Sequence, residues 1–416
     1  MREQARQTWS PAGRRSGAWR GGWRRGAVAA GAAMAVAVGV PAVAGAAPAA
    51  AFAQSGSASH APAHVGPDAV RQGLRELVRA DGVPAALASV RGRDGRDGRV
   101  GPTRTYTAGV GDLATGAGVP RDGQVRIGSN TKTFTAVLVL QLVGEGRIDL
   151  DANVDTYLPG LVRGDGIDGR RISVRELLQH TSGLPNYVKY LGDEVRYYSP
   201  RQLLDIALRQ KATADPGEKW EYSNTNYVLA GLIVEEVTRR PFAEELERRI
   251  IKPLGLRHTY FPAPGELTIR EAHPKGYYQE AAGAPLRDGT ELDPSWGWAA
   301  GQMVSTNSDL NRFFGALLSP GRLLPAAQLA EMRTTVPAGA PFAPGTGYGL
   351  GLVSTPLSSC RGVYWGHGGS TTGYETRGGA TDDGRAVNIA VTTQPSDPAV
   401  MKHVDELVDS ALCRGR

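Results

Sequence analysis

The stretch Gly128–Gly146, GSNTKTFTAVLVLQLVGEG, decides how the rest of the chain is read. Phe134 to Val143 is a nearly continuous apolar run bounded by Gly144 and Gly146. That length and those glycines predict a buried helix rather than a strand. Ser129 opens the helix, and Lys132, three residues on, lies on the same face one turn along. The apolar residues that follow bury the lysine end. An ammonium group stripped of water has a lowered pKa and can act as a base toward a neighbouring hydroxyl. The helix N-terminus also favours a developing negative charge there. The plain alternative is a serine N-cap with a solvated lysine on an outer face.

Working outward, Asp68–Arg79 has apolar residues at helical spacing. Ala85–Arg91 and Thr103–Gly109 read as strands joined by the turn Gly92–Gly98. Further helices are predicted at Val174–Gln179, Pro200–Arg209, Asn226–Thr238 and Pro241–Ile250. Strands return at Gly347–Val353, Val363–His367, Tyr374–Ala380 and Ala386–Thr392, and a last helix runs from Ala399 to Leu412. No internal repeat is visible. The pattern predicts an α/β (α+β) fold: an antiparallel sheet built from both chain ends, flanked by helices, with a mostly helical region at about 135–295.

The 416 residues are 41% hydrophobic and 21% charged, which excludes a fully disordered chain. The net charge is +6. Arg2, Arg6, Arg14, Arg15, Arg20, Arg24 and Arg25 against Glu3 account for all of it, so the remaining chain is neutral and offers no bulk attraction to nucleic acid. This arginine-rich start precedes an uncharged Ala/Val/Gly stretch and the small-residue site Ala51-Phe52-Ala53. Residues 1–53 therefore read as a secretory signal peptide, 54–66 as a linker and 67–416 as the catalytic domain. Arg14-Arg15 and Arg24-Arg25 permit a twin-arginine route. A single membrane anchor is the alternative, but Ala, Gly and Pro41 weaken it, so no stable membrane span is expected after processing. Secretion into an oxidising compartment implies one disulfide between Cys360 and Cys413, the alternative being two free thiols.

The seven histidines, His60, His64, His180, His258, His273, His367 and His403, lack metal-ligand spacing. There is no H-E-x-x-H, P-loop or G-x-S-x-G, so no metal or cofactor is expected. Two further features stand out. Tyr222-Ser223-Asn224 puts a phenol and an amide on one loop, where the phenol can relay a proton and the amide NH2 can hold a substrate carbonyl. His367-Gly368-Gly369-Ser370 is a strand whose glycines let a ligand approach the backbone, with the Ser370 N–H facing it. Alone, the first is an ordinary turn and the second a glycine-rich turn with a surface histidine.

In this order, Ser129/Lys132, Tyr222/Asn224 and His367/Gly369 resemble the motifs of the serine β-lactamase and penicillin-recognising DD-peptidase family. The likeness is to its class C-like branch and to secreted D-alanyl-D-alanine carboxypeptidases. VRELLQHTSGLPNY (174–187), PGEKWEYSNTNY (216–227) and AGQMVSTNSDLNRFF (300–314) also look like the family. The resemblance implies a Ser129 nucleophile, with Lys132 and Tyr222 moving its proton, and an acyl-enzyme. The Ser129 and Ser370 backbone N–H groups would form the oxyanion hole. Asn224 would orient the substrate amide, His367 would supply polar or positive character near Tyr222, and Trp296 would line the cleft. The implied activity is a monomeric D-alanyl-D-alanine carboxypeptidase acting on peptidoglycan stem peptides, with β-lactam antibiotics as acylating ligands. One departure stands out: Leu352-Val353-Ser354-Thr355 lacks the arginine that binds the substrate carboxylate in such carboxypeptidases. Esterase, β-lactamase and D-amino-acid amidase activities on the same machinery therefore stay open, as does a non-catalytic peptidoglycan-binding protein.

Overall fold

The structure is a computed structural model and describes residues 68–93, 100–192, 196–281, 283–395 and 397–413. The proposed signal peptide and linker lie outside them. Helix α1 (Asp68–Arg79) leads into strands β1 (Ala85–Arg93), β2 (Val100–Asp112) and β3 (Ala117–Gly118). The chain then enters the helical region. Its helices include α2 (Thr131–Gly144), α3 (Val174–Gln179), α4 (Pro200–Leu208), α5 (Asn224–Thr238) and α6 (Asn307–Leu317). Short strands β4 (Val336–Pro337) and β5 (Gly347–Tyr348) lead back to the sheet. Strands β6 (Val353–Pro356), β7 (Val363–Gly366), β8 (Gly369–Thr371), β9 (Tyr374–Ala380) and β10 (Ala386–Val391) complete it, followed by α7 (Pro398–Cys413).

These strands form a ten-stranded sheet in the order β4-β5-β6-β7-β9-β10-β1-β2-β3, with β8 also on β9. All pairings are antiparallel. The two chain ends meet at its centre, where Ala86 lies opposite Val391. Helices α1 and α7 share one apolar cluster with the sheet, built from Val70, Leu74, Leu77, Ile389, Val404 and Leu412. Gly73 lets the two pack closely, since a Cβ there would lie 2.5 Å from Leu407 Cδ1. The α7 end is tied down by the Cys360–Cys413 disulfide and by Asp409, which accepts the Ser358 and Ser359 N–H groups at 2.6 and 2.9 Å.

The apolar run at 134–143 is the centre of the larger core. Phe134, Val137, Leu138, Val139, Leu140 and Leu142 are all fully buried, as befits a helix that is hydrophobic all round. The Phe134 ring stacks on Phe313 of α6 at 3.7 Å.

Two predicted elements are corrected. Gly347–Val353 is not one strand: β5 stops at Tyr348 and β6 starts at Val353. Between them Gly351 has φ 71°, donates its N–H to Leu178 O at 3.2 Å and accepts Thr133 Oγ1 at 2.7 Å. A Cβ on Gly349 would stand 2.1 Å from Met332 O. These contacts draw the link inward against α2 and α3. The Pro241–Ile250 helix is likewise interrupted by a π-helical turn at Glu247–Ile251. Within it Arg248 and Arg249 pair with the fully buried Glu245.

Candidate active site

Ser129 sits in a 3-10 turn, Gly128–Asn130, that precedes α2. Gly128 has φ 47°, and a Cβ there would lie 2.8 Å from the Ser370 N and O atoms. Only glycine lets the turn rest directly against β8. Gly369 is tighter still, since a Cβ would meet Ile127 O at 1.9 Å. Asn130 fastens the same seam by donating from Nδ2 to Ile127 O at 3.0 Å and Thr376 Oγ1 at 2.7 Å. Threonines of the first turns of α2 lock it laterally. Thr131 Oγ1 donates to Gly128 O at 2.8 Å and Thr135 Oγ1 to Ala299 O at 2.6 Å. These contacts bring the Ser370 backbone beside the turn that carries Ser129.

Lys132 is fully buried. Its Nζ lies 3.0 Å from Ser129 Oγ, 2.7 Å from Asn224 Oδ1 and 2.8 Å from Ala300 O. Burial holds its pKa well below that of an ordinary lysine. Ser129 itself remains partly exposed, so a substrate can reach it.

Tyr222 and Asn224 arrive at the N-terminus of α5. Lys132 Nζ stands 4.8 Å from the centre of the Tyr222 ring. Desolvation raises the Tyr222 phenol above its usual pKa, and a side-chain hydrogen bond with Ser129 pulls the other way. Asn224 departs from expectation. Its Oδ1 accepts from Lys132, while its backbone N–H and Nδ2 both reach Asn186 Oδ1, at 3.2 and 3.3 Å. The amide is thus first a ligand of the lysine.

His367 lies near Tyr222, with ring centres 6.3 Å apart. It is a packed, neutral ring and not a source of positive charge. Nδ1 is 2.6 Å from Gly368 O and Nε2 is 3.0 Å from the Tyr348 hydroxyl. A ring nitrogen facing a carbonyl must donate, which leaves Nε2 to accept from Tyr348. Burial, reinforced by Lys132, lowers its pKa to about 3. Ser370 is exposed and its Oγ accepts from Gln394 Nε2 at 3.2 Å. Trp296 is half-buried, and its carbonyl accepts from the Tyr187 hydroxyl at 2.5 Å.

Sequence reasoning missed His180. It caps α3 with φ 62° and is fully buried. Its Nδ1 lies 3.2 Å from Ser223 N and 3.0 Å from Asn226 Nδ2, so it accepts from both and holds the loop that carries Tyr222. The two rings are 4.3 Å apart. Desolvation and the neighbouring Lys132 keep it neutral. The signal was a histidine closing an apolar helix inside the quoted 174–187 stretch, which gave no hint of what it touches. Asn186 and Tyr348 were missed for the same reason.

Among the described residues no group of three or more His, Cys, Asp or Glu side chains is placed to hold a metal ion. No helix among them is long and apolar enough to cross a membrane.

Comparison with known proteins finds relatives of the same fold. A D-stereospecific amidohydrolase from Streptomyces sp. is 39% identical, with a TM-score of 0.72 over 83% of this chain and 98% of that one. The D-amino acid amidase of Ochrobactrum anthropi SV3, solved with L-phenylalanine amide, is 30% identical. Its TM-score is 0.73 over 83% of this chain and 97% of that one. "Protein flp" of Staphylococcus aureus strain MW2 is 28% identical over 197 residues, 47% of this chain, and the match spans only 38% of that protein's length. The family model described as Beta-lactamase matches residues 68–412. With the sheet, the Ser129–Lys132 pair and the Tyr222 loop already in place, that match makes the chain a member of the beta-lactamase family of serine hydrolases.

Proposed function

We propose that this protein is a serine amidohydrolase that forms an acyl-enzyme at Ser129 and acts on amides of D-amino acids. The observation that carries the chemistry is the buried Lys132 Nζ 3.0 Å from Ser129 Oγ. A neutral amine has two hydrogens and one lone pair. Asn224 Oδ1 and Ala300 O take the hydrogens, which leaves the lone pair for the Ser129 hydroxyl proton. Ser129 Oγ then bonds to the substrate carbonyl carbon while its proton passes to Lys132. The resulting oxyanion lies between the Ser129 and Ser370 N–H groups, each donor worth a few kcal/mol in the transition state. Tyr222, hydrogen-bonded to Ser129, passes its phenolic proton to the leaving nitrogen as the C–N bond breaks and is reprotonated from Lys132. Water then attacks the ester, giving a proton to Lys132, and Ser129 Oγ takes that proton back as the C–O bond breaks and the acid is released.

The substrate class follows from charge. Lys132 is buried and already held by Asn224 and Ala300, His367 is neutral, and no arginine stands at 352–355 to meet a terminal carboxylate. A carboxamide needs no such partner. The similar Streptomyces amidohydrolase and Ochrobactrum D-amino acid amidase point the same way. D-alanyl-D-alanine carboxypeptidase activity is the second reading, favoured by the exposed Ser370 hydroxyl beside Gln394, which can hydrogen-bond a carboxylate. The arginine-rich N-terminus and the Cys360–Cys413 disulfide support action outside the cell.

The test is intact-mass analysis with parallel turnover of D-alaninamide, L-alaninamide, an N-acylated D-Ala-D-Ala peptide and penicillin. Release of ammonia from the D-amide, with loss of every adduct in Ser129→Ala, is expected. Turnover of the peptide without the amide selects the carboxypeptidase, and adducts that persist in Ser129→Ala place the nucleophile elsewhere.

A further inference from the structure

Away from Ser129, a cavity of about 380 Å³ is lined by Arg91, Gly101, Pro102, Thr103, Ser308, Arg312 and Arg322. Three elements bring the arginines together. Arg91 comes from β1, and its guanidinium lies beside Gly315 of α6, 3.5 Å from where a Cβ would be. Ser308, Arg312 and Gly315 follow one another along one face of α6. Arg322 comes from the turn after that helix, where Gly321 (φ 80°) donates its N–H to Leu324 O at 2.9 Å.

Among the described residues the three guanidinium groups meet no carboxylate. Elsewhere Arg163, Arg170, Arg175, Arg249 and Arg385 each meet a carboxylate. Among the described residues, Arg91, Arg312 and Arg322 form no ion pair, and the Arg312 side chain donates only to Gly255 O, at 3.3 Å. A carboxylate does bond a lining residue: Asp122 accepts the Ser308 N–H at 3.2 Å and its hydroxyl. That acid is itself desolvated and held by Ser308 rather than by an arginine. Arg91 is partly desolvated and feels both other arginines, each lowering its pKa. The body is neutral in bulk, so this is a local excess of positive charge with donors already converged.

We infer that the cavity between β1, β2 and α6 binds a phosphate group, free or as a phosphate ester. Guanidinium forks match the tetrahedral oxygens of phosphate in pairs, and the three together more than offset its charge of about −2. The Thr103 hydroxyl adds a neutral donor at the rim. The volume exceeds what one phosphate fills, leaving room for the substituent of an ester.

The experiment is calorimetric titration of the full chain with inorganic phosphate and with glycerol 3-phosphate, ionic strength being held constant with sodium chloride. Saturable binding of phosphate that the ester cannot match assigns the free anion. Ester binding as tight or tighter assigns the phosphoryl group of a larger molecule. Arg322→Gln and the exposed Arg312→Gln each weaken binding about tenfold, the loss expected for one charge-assisted contact, while penicillin labelling of Ser129 is unchanged. If Arg91→Gln lowers the melting temperature, the two exposed variants still decide the matter. Absence of saturable heat with either probe, or equal affinity in both exposed variants, overturns the assignment.

Discussion

Lys132 is the residue whose environment sets the reaction. In the unfolded chain its pKa is that of any lysine, about 10.4; in the fold, burial moves it far down. The neutral amine is the active form, so acylation is full above the lowered pKa and falls as pH drops through it. Pre-steady-state acylation measured against pH is therefore expected to show one acidic limb and a plateau reaching well below pH 10. Lys132→Arg keeps a charge that cannot be shed and is expected to lower the acylation rate by about two to four orders of magnitude. A pH-independent rate, or an active arginine variant, would remove the lysine from its role. Asn224 shows what single-residue reasoning reads well and badly. Its place in the site was legible only from the ordered set of motifs, Tyr-x-Asn alone being an ordinary turn, and the face it presents was not legible at all, because the lysine that claims its oxygen lies 92 residues away.

At the scale of elements, the reaction depends on β8 lying flush against the Ser129 turn. Gly369→Ala puts a methyl group where Ile127 O already is, and β8 must back away. Acylation is expected to drop about 10²–10³-fold, the worth of one oxyanion donor. Gly118→Ala, at a site with nothing within 4 Å, leaves it unaltered. Stopped-flow acylation of both variants checks this, and an unimpaired Gly369→Ala enzyme would discount the seam. A second element, α7, is held by the disulfide across a 53-residue separation. Cys413→Ser is expected to lower stability by about 2–4 kcal/mol, read as the denaturant midpoint, and reductant added to the variant should do nothing more. Helices and strands were legible where periodicity was local: Asp68–Arg79, Val174–Gln179 and Tyr374–Ala380 match their predicted bounds. The break between β5 and β6 was not, because Gly349 and Gly351 answer to Met332, Leu178 and Thr133, distant in sequence.

Over the whole molecule, buried neutral histidines make stability depend on pH. His367 titrates near 3 when folded and about 6.5 when unfolded, and His180 is displaced in the same direction. Between those values the unfolded chain binds more protons, so stability present above pH 6.5 declines as pH falls toward 3. The loss from His367 amounts to a few kcal/mol. Urea unfolding at pH 7 and pH 4 is expected to show a shallower difference for His367→Gln than for the parent chain. Identical differences would mean that carboxylates alone govern acid lability. The sheet's closure has a further consequence for biogenesis. Ala85 and Thr392 exchange hydrogen bonds across 307 residues, so β1 waits for its central neighbour while all the intervening chain is made. A ribosome-bound nascent chain therefore carries β1 paired to β2 on one edge and open on the other, an edge that invites aggregation, and folding with such distant contacts is slow. Premature termination even shortly before β10 yields a polypeptide with the nucleophile but without the strand that joins β9 to β1.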